Sequence, residues 1–277
     1  MTGPAPGGRT RAAVLAGTSA VGAGALCWPL LTAGGRGGTA TPWAVGTVAL
    51  LAVVVVLAVA DDGDGGLDAR TAALVGTLAA SGCVLRLVSP GIGGVELVFA
   101  VLLVGGYALG ASTGFVLGVV TLLVSALLTG GVGPWLPFQA LAAGWVGTAA
   151  GVLGRRRRSS TGPPSAAEVA SLVALTVVAC LAYGVVMNLW SWPFLVGEGT
   201  ALSYDPGAGL ADNLRRFAVW SLVSSGAWDG VRAGVNAVVV AATARRVVAS
   251  LRRVRRTGRY ADVHEVRRPT GPDGPDA

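Results

Sequence analysis

Residues 130 to 151 read GGVGPWLPFQALAAGWVGTAAG, a turn rich in Gly and Pro that leads directly into an apolar helix lined with small residues. The turn carries an aromatic ring at Trp135, and Phe138 and the amide of Gln139 follow it. A helix of a water-soluble core does not begin in this way, whereas Gly, Pro and interfacial aromatic residues are enriched in membrane helices. The stretch therefore predicts the rim of a membrane-embedded binding site.

The composition of the whole chain indicates a polytopic membrane protein. Of its 277 residues 53% are hydrophobic and only 13% are charged, and the mean hydropathy is +0.66. Long uncharged runs recur between Ala12 and Val248. All of the 21 basic residues are Arg, so neither a Walker A lysine nor a lysine Schiff base can occur. The chain itself is not expected to hydrolyse ATP.

Reactive residue types are scarce, which excludes most catalytic and metal-binding chemistry. The one histidine, His264, lies in the polar C-terminal segment, so no imidazole site is expected inside the membrane. The acidic loop at 61–68 lacks the spacing and terminal Glu of an EF-hand and indicates a linker. We expect neither an enzyme nor a bound cofactor or metal, because no Ser/His, paired-Asp or metal-ligand constellation is present. Three single cysteines are expected to pack as small apolar residues: Cys27, Cys83 and Cys180.

Apolar runs long enough to cross about 30 Å of hydrocarbon predict eight membrane helices. The break from Gly110 to Gly114 favours two short helices over one long bent helix in its region. The first run is longer than the roughly 7 to 15 residues of a signal-peptide core, so a retained helix is expected. The predicted helices cover residues 12–31, 43–60, 71–88, 95–109, 114–129, 138–153, 167–190 and 226–248.

The fold class that follows is an all-α polytopic membrane bundle, with a six-helix core preceded by two extra transmembrane helices. The expected divisions are a cytoplasmic N-terminal tail (1–11), two extra helices (12–60), an acidic linker (61–70), a six-helix substrate-binding membrane domain (71–251) and a basic, disordered cytoplasmic tail (252–277).

Arginine distribution predicts the orientation of the chain. Most of the 21 arginines fall on one side of the predicted helices, including the run at 155–158 and the C-terminal tail. By the positive-inside rule that side is cytoplasmic, which places both termini inside the plasma membrane. The basic tail then indicates topology and contact with anionic lipid rather than nucleic-acid binding.

Two charges flank the first predicted external turn of the six-helix core. Arg86 ends one helix and Glu96 begins the next, so the two can face each other across the hairpin. A charge at a membrane helix end nearly always finds a partner. The pair predicts either a structural ion pair or a device that orients a ligand.

Aromatic and amide side chains cluster at the next two external turns. Singly, a tryptophan at a membrane boundary is most often an interfacial anchor. If the two turns converge, their rings suit stacking on a flat heteroaromatic ligand. The candidates are Trp135, Phe138 and Gln139 on one turn, and Asn188, Trp190 and Trp192 on the other.

The last predicted helix carries three polar residues at helical spacing. Offsets of three and four put Asp229, Arg232 and Asn236 on one face, which must point into the bundle because a bare membrane arginine costs about 2.5 to 3.5 kcal/mol or more. The face is either an internal Asp229–Arg232 pair or a ligand site. Before this helix, residues 210–223 indicate an amphipathic surface helix, and the loop at 197–209 either gates a site or only connects.

Small residues recur every four positions in two predicted helices, giving flat strips on which another helix can approach closely. Most such strips pack internally, and one can instead receive a partner subunit. The strips are Ala72, Gly76 and Ala80, and Ala143, Gly147 and Gly151.

From about Ala72 to Arg253 the chain resembles the substrate-binding S component of energy-coupling factor (ECF) transporters, the vitamin importers of the ABC class, and within it the actinobacterial members. The run GPWLPFQ at 133–139, followed by AAGWVG at 142–147, carries most of the resemblance. Arg86, Glu96, the run GGYALG at 105–110 and the run WDGVRA at 228–233 add to it.

The resemblance implies a six-helix bundle that captures a vitamin or a vitamin precursor from outside. It also implies partners, namely a transmembrane T component driven by two cytoplasmic ATPases. In the family a small-residue surface on the first core helix docks on the T component, which maps here onto Ala72, Gly76 and Ala80. The two leading helices lie outside this pattern and have no assigned role.

The resemblance favours cobalamin or a related corrinoid as substrate, with a thiamine-type pyrimidine second. The Met1-Thr2-Gly3 start lacks the histidine of the cobalt and nickel members, which argues against a metal substrate. Two other classes stay open: a stand-alone proton-coupled carrier that uses Glu96 and Asp229 as proton sites, and a membrane scaffold without a substrate.

Overall fold

The computed structural model describes residues 6–27, 46, 49–50, 52–53, 69–155, 162–196, 199–205 and 207–266. Within these ranges the chain is all-helical, and five helices are long and apolar enough to cross a membrane. The predicted polytopic helical bundle is thereby confirmed. The helices are α1 (Pro6–Leu26), α2 (Ala69–Val88), α3 (Val98–Leu109), α4 (Ala111–Thr129), α5 (Leu136–Arg155), α6 (Ala166–Leu195) and α7 (Leu210–Val266). The five spanning helices are α2, α4, α5, α6 and α7, and α3 is a shorter apolar helix.

The predicted break between two short helices is confirmed at Gly110. This residue has φ 109° and ψ 172°, a conformation open mainly to glycine, and it separates α3 from α4. At the N-terminus α1 begins and ends about five residues earlier than the predicted 12–31 helix. The predicted helix at 43–60 and the acidic loop at 61–68 lie largely or wholly outside the described residues.

The strip on α5 is an internal packing surface. Ala143, Gly147 and Gly151 are buried, and a Cβ at Gly147 would overlap the backbone of Gly114 on α4. Backbones approach closely here, as small residues at membrane helix interfaces allow. This strip therefore holds α5 against α3 and α4, the central layer of the bundle.

The strip on α2 has the opposite environment. Ala72, Gly76 and Ala80 are all exposed, and a Cβ at Gly76 would meet no atom within 4 Å. The two sequence patterns look alike, yet only this one lies on the outer surface of the bundle.

The longest helix, α7, is one uninterrupted element of 57 residues. The expected separate amphipathic helix at 210–223 is wrong, because these residues form its first turns. The reason lies in packing: Phe217 and Trp220 bury their rings against Trp192 of α6 instead of lying on a surface. The helix also continues to Val266, into the segment assigned to a basic tail.

The connection between α6 and α7 is folded against the bundle. The indole N–H of Trp192 donates to the carbonyl of Leu202 at 2.9 Å, and the side chain of Asn213 bonds both the N–H and the carbonyl of Asp205. Arg216 pairs with Asp205 at 3.6 Å. The described part of this connection, at 199–205 and 207–209, is hereafter the cap loop.

At the opposite end of the bundle a buried polar latch joins three helices. The hydroxyl of Tyr107 (α3) donates to Glu168 (α6) at 3.0 Å. Arg252 (α7) lies 3.6 Å from the same carboxylate and 5.6 Å over the Tyr107 ring. Glu168 also closes a capping box with Ser165, so one carboxylate begins α6 and ties it to its neighbours.

The first helix lies on the outside of this core. The indole N–H of Trp145 on α5 donates to the hydroxyl of Ser19 at 2.9 Å, and Gly22 lies against Leu141. These contacts attach α1 to the face of α5.

Candidate functional site

The turns at 89–97 and 130–135 and the cap loop lie at the same end of the bundle, here called the rim end. They join α2 to α3, α4 to α5 and α6 to α7. The sequence-predicted ligand residues fall in the half of the bundle near this end, and most of them belong to a charged cluster around Arg232 or to an aromatic cluster around Trp190.

Arg232 of α7 is the centre of the charged cluster. Its Nε donates to Glu96 Oε2 at 3.1 Å and its Nη1 to Asp229 Oδ1 at 2.6 Å. The guanidinium also lies over two rings, 5.7 Å from the centroid of Phe99 and 5.6 Å from that of Tyr183. The predicted internal pair of Asp229 with Arg232 is present, and one arginine serves two carboxylates.

The second oxygen of Asp229 continues the network toward α6. Ser225 donates to Asp229 Oδ2 at 2.8 Å, and the amide of Asn188 donates to Ser221 and Ser225. The Asp229 carboxylate lies against Gly184, where a Cβ would overlap it. Glycine at this position gives the carboxylate the space it occupies.

Asn236 shares the predicted face but binds only backbone. Its Nδ2 donates to the carbonyls of Glu96 and Arg232, at 2.7 and 2.9 Å. Its Oδ1 accepts from the N–H of Ala100 at 2.9 Å, a group in the first turn of α3 that also bonds the N-cap carbonyl of Leu97 at 3.2 Å. Because both ends of this buried amide are used, Asn236 fixes the start of α3 on α7.

Arg86 and Glu96 do not form the ion pair expected across their hairpin. Three glycines with positive φ, Gly91, Gly93 and Gly94, shape the intervening turn, and Gly94 lies against the backbone of Trp228 on α7. This contact brings Glu96 to Arg232 rather than to Arg86.

Arg86 points instead into the space between α4 and α5. Its two Nη atoms donate to Ser125 Oγ at 3.3 Å and to Gln139 Oε1 at 3.4 Å. Both acceptors are neutral. Arg86 and Gln139, two residues from different predicted turns, thus lie side by side.

The aromatic cluster confirms part of the predicted convergence. Trp190 of α6 lies 6.5 Å from Trp135, 5.9 Å from Phe138 and 5.3 Å from Phe194, measured between ring centroids. Two turns that are distant in sequence therefore meet in one aromatic group, next to Gln139 on α5.

Trp192 does not join this group, contrary to the prediction. Its side chain is 0% exposed and packs against Tyr204 and Phe217 under the cap loop. Residues two apart on a helix point in different directions, so Trp190 faces the rim while Trp192 anchors the cap.

Sequence reasoning missed several members of the charged cluster. Ser221 and Ser225 precede Asp229 by eight and four residues, a helical spacing that could have revealed them. Phe99 and Tyr183 come from other helices, and no local pattern signals their contact with Arg232. Within the described residues no group of three or more His, Cys, Asp or Glu is placed to hold a metal ion.

One protein-family model matches residues 70–243, from the start of α2 to the middle of α7, and so includes both clusters. That family is described as the ECF transporter, substrate-specific component. No curated protein and no solved structure matches the chain significantly. Because the match covers well over half of the chain, this protein belongs to the family of ECF transporter substrate-specific components.

Proposed function

We propose that this chain captures a vitamin or vitamin precursor outside the cell and delivers it inward with a T component and two cytoplasmic ATPases. The family gives the general role of a substrate-specific subunit in such a transporter. The observation that carries the finer proposal is the meeting of Trp135, Phe138 and Trp190 beside the Arg86–Gln139 pair. Aromatic faces beside a few polar groups are the usual lining of a small-molecule site.

The substrate that we propose first is cobalamin or a related corrinoid, and a thiamine-type pyrimidine is the second candidate. A corrinoid offers a large ring system and the pyrimidine a small aromatic ring to the aromatic cluster, and both have polar edges for the neighbouring amide and guanidinium. The charged cluster around Arg232 forms the deeper polar wall of this proposed site.

The T component is proposed to dock on the exposed strip of α2. Ala72, Gly76 and Ala80 leave this surface flat and uncovered, which suits close approach of a partner helix.

Binding of cobalamin to the purified full-length chain, followed by quenching of tryptophan fluorescence, tests the proposal. Trp190→Ala should weaken binding by roughly 10-fold or more, because stacking on a ring contributes about 0.5 to 1.5 kcal/mol beyond its area burial. Trp228→Ala is the matched control, since this ring is 56% exposed on α7 and outside the aromatic cluster. Equal affinity in the wild type and the Trp190 variant would contradict the proposed site, and thiamine replaces cobalamin to test the second candidate.

A proton-coupled carrier is the competing function. Both of its candidate proton sites, Glu96 and Asp229, are already paired with Arg232, which leaves neither as an unpaired carboxyl group. Uptake into vesicles that depends on ATP and on the co-expressed subunits supports the ECF role. Uptake by this chain alone under an ion gradient supports the carrier.

A further inference from the structure

We infer that the substrate carries an anionic oxygen group, a carboxylate or a phosphate, which pairs with Arg86 while its ring stacks in the aromatic cluster. The inference deepens the proposed function and rests on it.

The two membrane arginines of the site have unequal partners. Arg232 contacts two carboxylates, whereas Arg86 contacts only the neutral oxygens of Ser125 and Gln139, at 3.3 and 3.4 Å. No carboxylate of the described residues lies within ion-pair distance of Arg86. A guanidinium inside a membrane protein normally finds an anion or a water-filled cavity.

The two carboxylates of the charged cluster do not neutralise Arg86 by direct contact. The formal charges of Arg86, Arg232, Glu96 and Asp229 sum to zero, but both carboxylates are oriented by hydrogen bonds to α7. A contact pair is much stronger than a distant one where water is excluded. The guanidinium of Arg86 therefore has capacity for a further anion.

The direction of the Arg86 side chain argues against a purely local role. As a basic residue in the last turn of α2, it would favour the carbonyl end of its own helix. Its described hydrogen bonds instead reach Ser125 on α4 and Gln139 on α5. The guanidinium thus faces the space between α2, α4 and α5.

The position of Gln139 joins this cation to the aromatic cluster. Gln139 follows Phe138 in sequence and lies one turn after Trp135 on α5. Residues one turn apart lie on the same face of a helix, so a ligand whose ring contacts Trp135 and Trp190 can place a substituent near the Gln139 amide and the guanidinium that it touches. Arginine holds carboxylate and phosphate oxygens through two parallel hydrogen bonds, a geometry that neutral groups do not match.

Matched probe pairs test the inference in the full-length chain. Cobinamide phosphate and cobinamide differ only in a phosphate, and nicotinate and nicotinamide differ in a carboxylate. The wild type should bind the anionic member of at least one pair roughly 10- to 100-fold more tightly, the range for hydrogen bonds to a charged group. The pair that responds distinguishes a phosphate ligand from a carboxylate ligand.

Variants assign this preference to one residue. Arg86→Gln should reduce the ratio of the two affinities to near unity. Arg86→Lys should retain part of the preference, since lysine keeps the positive charge but lacks the planar guanidinium that makes two parallel hydrogen bonds. Arg215→Gln is the matched control, because this arginine is on the surface of α7 with 77% of its side chain exposed. Thermal unfolding of each variant separates a binding defect from misfolding. If the glutamine variant does not fold, a reduced preference for the anionic probe in the lysine variant supports the inference and an unchanged preference overturns it.

Each outcome decides between two claims. A neutral probe that binds as tightly as its anionic partner, or a preference that survives Arg86→Gln, overturns the inference and leaves the proposed function intact. If no probe binds, mass spectrometry of compounds retained by the purified wild type decides. A retained anionic compound that Arg86→Gln loses supports the inference, and a retained neutral or cationic compound overturns it. The absence of any bound probe or retained compound overturns the proposed function as well.

Discussion

Arg232 holds two carboxylates in the interior of the bundle. Removing one partner of a buried ion pair leaves the other charge uncompensated, and here two carboxylates, Glu96 and Asp229, depend on one guanidinium. The residue is therefore a structural centre whatever the ligand does nearby.

We expect Arg232→Ala to lower the free energy of unfolding by about 3 to 5 kcal/mol, the cost of breaking a buried pair. Thermal unfolding in detergent measures the change. Arg215→Ala, which removes an exposed arginine from the same helix, should change stability by less than about 0.5 kcal/mol. An Arg232 variant with unchanged stability but lost substrate binding would show that Arg232 serves the ligand rather than the bundle.

How far single residues could be predicted depends on the spacing between partners. The face of Asp229, Arg232 and Asn236 follows from offsets of three and four within one helix, and the structure has it. The pairing of Glu96 with Arg232 spans 136 residues and depends on the glycine turn before α3. Local sequence therefore indicated Arg86, the wrong partner for Glu96.

At the scale of helices, the close approach of α6 and α7 at Asp229 requires a glycine on α6. Gly184 lies directly against the Asp229 carboxylate, so a methyl group there and the charged cluster cannot both occupy their present positions.

Gly184→Ala should destabilise the protein by about 1 to 3 kcal/mol, the usual cost of overpacking a tight interior. Gly230→Ala is the control, since its Cβ would meet nothing within 4 Å and alanine favours the helix by up to about 1 kcal/mol. Thermal unfolding compares the two. Equal stability of both variants would mean that Asp229 can move freely within the cluster.

The helices themselves were largely predictable, because uncharged apolar runs and the Gly110 break determine where a membrane helix starts and stops. The exception is the start of α7, whose polar residues suggested a separate surface helix. Only tertiary packing decides whether these residues form a separate helix, because Phe217 and Trp220 pack in one cluster with Trp192 and the cap loop.

At the scale of the whole molecule, the two small-residue strips separate inner from outer surfaces. Composition alone could not distinguish them, since both repeat small residues every four positions. Close backbone approach buries the α5 strip, whereas the α2 strip is exposed and no atom of the described residues lies within 4 Å of a Cβ at Gly76.

Gly76→Leu should abolish co-purification of a co-expressed T component and leave cobalamin binding unchanged, because a larger side chain prevents close helix approach. Ala241→Leu makes a comparable change on an exposed position of α7 and should retain the partner. Co-purification is measured by affinity capture of the tagged chain. Retention of the T component by the Gly76 variant would place the docking surface elsewhere.

The continuity of α7 has a mechanical consequence. One helix without a proline runs from Arg216 beside the cap loop, past Arg232, to Arg252 in the latch. It has no break that could absorb a change of tilt, so a movement at one of these three arginines is transmitted along the helix to the other two. A ligand at the proposed site that changed the tilt of α7 at the rim end would therefore also strain the Glu168 latch at the far end of the bundle.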